Sequence, residues 1–142
     1  MINCVINGKK TSHISVNDRG LNYGDGIFRT FLVVNKKPIH WNAHYKKIKE
    51  DASFLNILIP KKKQLEEYVK KAIKNNEQVI CKIIITRGNS ERGYLVPKKN
   101  NTTCIVMTFP YEPSKAIYQG VRTTINHDEI YPSSFSHIKR AC

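Results

Sequence analysis

Asn17-Asp18-Arg19-Gly20-Leu21-Asn22-Tyr23-Gly24-Asp25-Gly26-Ile27-Phe28-Arg29-Thr30 decides how the chain begins to fold. Three glycines fall within the seven residues from Gly20 to Gly26, just ahead of an apolar run. Glycine permits sharp turns and close backbone approach, and Asp18, Arg19 and Asp25 can fasten such a path with charge-assisted hydrogen bonds. Read alone, the stretch is a tight structural loop feeding a strand over Ile27–Val34, where Phe31 and Val33 suit pleated packing. Arg29 lies on that strand and faces either a substrate opening or an acidic neighbour; alternation does not decide which.

Outward from this stretch the pattern is α+β. Cys4-Val5-Ile6 before Asn7-Gly8 reads as a short strand turning through a tight hairpin. Asn35-Lys36-Lys37-Pro38 supplies the next turn, so that a first mixed sheet forms early. Asn42 is a candidate helix N-cap, followed by Tyr45, Ile48, Ala52, Leu55 and Leu58 at helical spacing. Pro60 is expected to open a second helix with Leu65, Tyr68, Val69, Ala72 and Ile73 as its buried stripe, stopping at Asn75-Asn76. Val79–Thr86 and Cys104–Phe109 read as strands, joined by a polar loop from Arg87 to Asn101. Pro110 and Pro113 bracket a linker, and Val121–Ile125 is expected to begin a second unit.

Composition bounds the rest. The 142 residues suffice for one domain burying roughly two-thirds of its unfolded surface. A hydrophobic share of 40% argues against global disorder. No run is long and apolar enough to span a bilayer, so no membrane association is expected. The start, Met1-Ile2-Asn3-Cys4-Val5, lacks the pattern of a secretory signal, and the location expected is cytoplasmic. Cys4, Cys81 and Cys104 sit in apolar surroundings and read as reduced, buried thiols; Cys142 is terminal, and no metal site is expected. The net charge of +13 favours acidic metabolites, but dispersed lysines without an Arg-aromatic reading motif do not suggest a nucleic-acid partner.

Two further segments carry chemistry. In Arg87-Gly88-Asn89-Ser90-Glu91-Arg92-Gly93-Tyr94, Arg87 or Arg92 could dock a carboxylate through a planar donor fork, and Tyr94 could pack on a substrate ring. The bland alternative is an exposed hairpin. In Ser136-His137-Ile138-Lys139-Arg140, Lys139 taken alone is a solvated lysine.

Together these stretches resemble the fold-type IV pyridoxal-phosphate enzymes, the class IV aminotransferase family, and among them the aminodeoxychorismate lyases, over the first half or so of such an enzyme. The glycine-rich segment resembles the family signature beside the substrate entrance and dimer contact. The resemblance implies that Lys139 carries pyridoxal 5'-phosphate and moves protons. Where the family has His-x-x-Arg for the cofactor phosphate, this chain has His44-Tyr45-Lys46-Lys47, so Lys47 takes the arginine's place as a point charge without bidentate geometry.

Arg29, Arg87, Arg92 and Tyr94 are the implied substrate-binding residues, and the implied partners are an acidic, amino-bearing small molecule and a second copy in a homodimer. The implied organisation is a small α+β domain over residues 1–110, a linker over 111–120, and a truncated β-rich, cofactor-binding domain over 121–142. The implied reaction eliminates pyruvate from 4-amino-4-deoxychorismate to give 4-aminobenzoate for folate synthesis. Branched-chain or D-amino-acid aminotransferase activity, or a basic interaction fragment without catalysis, are the alternatives.

Overall fold

The computed structural model describes residues 3–98, 101–125, 127 and 133–141. Cys142 and part of the expected second unit lie outside the described residues. The elements are β1 (Asn3–Ile6), β2 (Lys9–Lys10), α1 (Arg19–Tyr23), β3 (Gly26–Val34), β4 (Lys37–Pro38), α2 (Trp41–Phe54), α3 (Lys62–Ile73), β5 (Gln78–Thr86), β6 (Thr103–Pro110) and α4 (Ala116–Gln119). The strands form a six-stranded sheet in the order β2-β1-β6-β5-β3-β4. Every pairing between named strands is antiparallel, so the mixed sheet expected from the sequence is corrected.

Period-two alternation gives the sheet two unlike faces. Ile27, Phe31 and Val33 of β3, Cys81, Ile83 and Ile85 of β5, and Cys104 and Val106 of β6 are buried in one core cluster. Ile48 and Ala52 of α2, and Leu65, Val69, Ala72 and Ile73 of α3, complete that cluster from the helical layer. Each fully buried Ile, Leu or Val contributes about 1.5–3 kcal/mol of hydrophobic stabilisation, which makes this the layer that holds the sheet. The opposite face carries Phe28, Lys82, Ile84 and Ile105, which line a cavity of about 200 Å³ with Ile14, Asp18, Gly20, Leu21, Thr86 and Ala141.

Local expectations differ from the structure where tertiary contacts override them. α2 begins at Trp41, with His40 in the left-handed region at the N-cap position. Asn42 does not cap it; its side-chain oxygen accepts a hydrogen bond from Lys62 Nζ at 2.7 Å. Pro60 precedes α3 by one turn residue more than expected, and Lys61 stands at that N-cap. Leu58 is 64% exposed, because the helix has already ended at Phe54.

Val121–Ile125 were expected to begin a β-rich second unit. Those residues form no strand and are exposed, and the described residues make a single α+β domain. Described residues 138–141 of the segment assigned to that unit pack against this domain. Ile138 is 7% exposed within the core cluster, and Arg140 forms an isolated antiparallel bridge with Ile27 on the open edge of β3.

Burial pushes the thiols of Cys81 and Cys104 up to about 12, with the neighbouring Cys104 adding to the effect on Cys81. Since the thiolate is the reactive form, neither should react with a disulfide reagent at neutral pH. We expect mass spectrometry to find both unlabelled in the native protein and labelled after addition of denaturant.

Candidate functional site

The opening motif folds around Asp18, which is 1% exposed. Its Oδ1 accepts the Gly20 N–H at 2.8 Å, capping α1, and its Oδ2 accepts the Thr86 hydroxyl at 3.0 Å. Gly20 is required by this closeness, because a Cβ there would collide with Thr86 Cγ2. Gly24 then ends the helix in the left-handed conformation at φ 62°.

Asp25 follows and is shared by two arginines. Arg19 Nε and Arg87 Nε donate to its Oδ2 at 2.7 and 2.8 Å, and Arg87 Nη2 reaches Oδ1 at 3.1 Å. Most of the other guanidinium contacts are with backbone carbonyls. Arg87 donates to the carbonyls of Asn56 at 3.0 Å and Leu55 at 2.8 Å. Arg19 donates to Ser90 Oγ and to the carbonyls of Gly93, Tyr94 and Leu95. The glycine-rich stretch and the loop after β5, read separately in the sequence, therefore form one assembly.

The expected site residues divide into two groups. Arg87 is 5% exposed and turned inward onto Asp25. Arg92 is exposed, and Tyr94 is 86% exposed, with its ring 5.4 Å from that of Tyr23. Arg29, Lys47 and Lys139 gather instead at the corner of β3 and α2. Arg29 donates to Asp51 Oδ2, which answers the question its strand position left open: it faces an acidic neighbour. Lys47 Nζ donates to Asp51 Oδ1 at 2.5 Å and to the His137 carbonyl at 3.0 Å.

Lys139 is exposed, with Nζ 4.7 Å from the centroid of the Phe28 ring. Its carbonyl accepts the Phe28 N–H at 3.0 Å, and Ala141 N–H donates to the Gly26 carbonyl at 2.9 Å. The two groups meet through consecutive residues, since Asp25 holds Arg87 while Gly26 holds Ala141.

Sequence reading missed Lys82 and Asp51. Lys82 Nζ stands 5.0 Å from the same Phe28 ring centroid, so two ammonium groups approach one aromatic side chain at the cavity. A lysine alternating with Ile80 and Ile84 in an otherwise apolar strand is the signal that could have found it. Asp51 interrupts the apolar stripe of α2 four residues after Lys47, a spacing that pairs side chains on one helix face.

The corner carries an excess of positive charge. The His44 pKa is lowered by burial and further by the charges of Arg29, His40 and Lys139. A phosphate-bearing aldehyde fits this donor set. The accessible amine of Lys139 suits the aldehyde, and the surrounding cations suit the phosphate. An ammonium has three donors, and Asp51 and the His137 carbonyl take two of those on Lys47.

Asp25 is opposed by burial, but hydrogen bonds from Arg87 and then Arg19, with their charges, outweigh it and lower its pKa. A carboxylate lowered on folding stabilises the native state above its unfolded pKa of about 3.9 and loses that contribution as pH falls through the folded value. Urea titrations should therefore show stability declining as pH drops below about 4. Asp25→Ala should cost about 3–5 kcal/mol at neutral pH, because it leaves two buried guanidiniums without their carboxylate. Replacing Lys139 with Met should raise the His44 pKa in an NMR titration, since one of the charges opposing its protonation is removed.

Residues 26–142 match the family model described as amino-transferase class IV. An aminodeoxychorismate lyase of Vibrio harveyi is 32% identical over 89 residues, covering 63% of this chain and 33% of that protein. The crystal structure of 4-amino-4-deoxychorismate lyase from Pseudomonas aeruginosa superposes with a TM-score of 0.74 at 29% identity, covering 83% of this chain and 44% of that one. The branched-chain amino acid aminotransferase of Escherichia coli shares the fold, with a TM-score of 0.68 at 19% identity over 77% of this chain and 40% of that one. The chain thus spans about a third of the length of the curated lyase and under half of the solved structures. With the family model covering most of its length, the chain belongs to the class IV aminotransferases, the fold-type IV enzymes that depend on pyridoxal phosphate.

Proposed function

We propose that the chain is the amino-terminal part of an aminodeoxychorismate-lyase-like enzyme that eliminates pyruvate from 4-amino-4-deoxychorismate and leaves 4-aminobenzoate. The observation that carries this reading is the accessible amine of Lys139 over Phe28, beside a cavity that also holds Lys82. The identities to two lyases, 32% and 29%, support the choice of reaction within the family.

Each side chain has a job that follows from its surroundings. Lys139 Nζ would carry the cofactor covalently, then take and return a proton as general base and acid. When bound, pyridoxal phosphate supplies the electron sink for charge developing on the substrate carbon. Lys47 would offer its remaining donor to the phosphate. Lys82 Nζ would hold a substrate carboxylate as a point charge against the flat, apolar wall of Phe28. Arg87 is better suited to fixing the loop after β5 than to meeting substrate, because Asp25 and two carbonyls occupy its donors. Arg92 and Tyr94, at the exposed tip of that loop, are left to meet the substrate or a second copy in a homodimer.

The exposed stretch from 111 to 125 suits a connection to the cofactor-binding portion of a longer protein. A class IV aminotransferase is the second reading, favoured by the fold shared with the Escherichia coli enzyme.

Pyridoxal phosphate followed by borohydride should label Lys139 of the full-length protein, and mass spectrometry should find that label absent after Lys139→Ala. The same protein should release equimolar pyruvate and 4-aminobenzoate. Labelling elsewhere with Lys139 untouched would reject the lysine assignment. Amino transfer to 2-oxoglutarate without pyruvate release would reject the lyase in favour of the aminotransferase.

A further inference from the structure

Asp51 is 1% exposed in the helical layer, yet it binds two cations from different elements. Arg29 comes from β3, and Lys47 lies one helical turn earlier on α2. A buried carboxylate with its partners is seldom worth more than apolar residues of the same volume. Here the arrangement even leaves Arg29 Nε buried with no hydrogen-bond partner among the described residues. Stability alone therefore gives this cluster little reason to exist.

What the cluster does provide is direction. With one donor drawn to Asp51, the Lys47 ammonium turns another onto the carbonyl of His137, two residues before Lys139. Among the described residues, main-chain bonds at Phe28 and Gly26 also tie this segment to the sheet. Around them, Phe54 packs edge-on against Phe135 and His137, with ring centroids 5.6 and 4.8 Å away, and Ile138 enters the core. Apolar contacts permit sliding and rotation, which the two main-chain bonds resist. The charge-assisted hydrogen bond to the His137 carbonyl adds a third fixed point just before Lys139.

We infer that Asp51 is a positioning residue: it aims Lys47 at His137 and so locks the segment bearing Lys139 onto the edge of β3. The docking stands on these contacts by themselves, while its value for the reaction rests on Lys139 being the cofactor lysine. A mobile amine would lose the orientation on which its reactivity depends.

Hydrogen exchange in the absence of cofactor separates the two. The amides of Phe28 and Ala141 report docking, and the amide of Ile83, in the central strand β5, reports the integrity of the domain. Lys47→Met keeps the aliphatic stem and removes the ammonium. It should speed exchange at Phe28 and Ala141 roughly tenfold or more, as expected for losing a hydrogen bond to a charged group, and leave Ile83 unchanged. Lys47→Arg should restore most of the protection, and Asp51→Asn should behave like Lys47→Met.

Unchanged protection at Phe28 and Ala141 in Lys47→Met would overturn the docking role. Protection kept in Asp51→Asn but lost in Lys47→Met would overturn the role of Asp51. Borohydride trapping of pyridoxal phosphate on the parent and on Lys47→Met completes the test. Faster exchange in the variant, with Lys139 unlabelled in the parent, supports the docking and removes the cofactor assignment. A labelled parent with unchanged exchange in the variant does the reverse.

Discussion

Asp25 is the point on which the structure turns. One carboxylate receives Arg19 from the short helix α1 and Arg87 from the end of β5, and both guanidiniums are almost fully buried. Charges so placed are tolerable only when paired and hydrogen-bonded, so their remaining donors must find backbone carbonyls. Arg87 finds them after α2, and Arg19 finds them in the loop after β5. A single half-buried carboxylate thus ties three segments distant in sequence and leaves the next residue, Gly26, to begin β3.

From that strand the two faces of the sheet take up different work. The helical face is filled by Ile, Val and Leu side chains and closed by α2 and α3. The other face presents Phe28 and Lys82 to a cavity and receives the segment that bears Lys139 along the edge of β3. On the proposed reading, the Lys139 amine is accessible beside that face while its backbone is held. Two clusters of charge frame it. Asp25 fixes the loops, and Asp51 gathers Arg29 and Lys47 beneath the carboxyl-terminal segment.

Much of this was legible in the residues. Alternation in Ile27–Val34, Val79–Thr86 and Cys104–Phe109 gave strands that differ from β3, β5 and β6 by only a residue or so at the ends. Helical spacing gave the buried stripe of α3. Asn42 was misread as a cap because local preference was weighed without Lys62, which claims its side chain. Val121–Ile125 was read as opening a β-rich unit, but β-propensity describes fit to a pleated, half-buried surface, and these residues are exposed.

The periodic elements, the glycine path before β3 and the residue types able to serve a phosphate-bearing aldehyde could be read from the amino-acid order. Those features depend on local sterics and on spacing along the chain, which are written in neighbouring residues. Only the tertiary structure decided that Arg29 faces Asp51, that Arg87 is spent on Asp25, and that Lys82 and Lys139 approach one ring. Those pairings join residues far apart in the chain, and a charged side chain carries no mark of which distant partner folding will bring within reach.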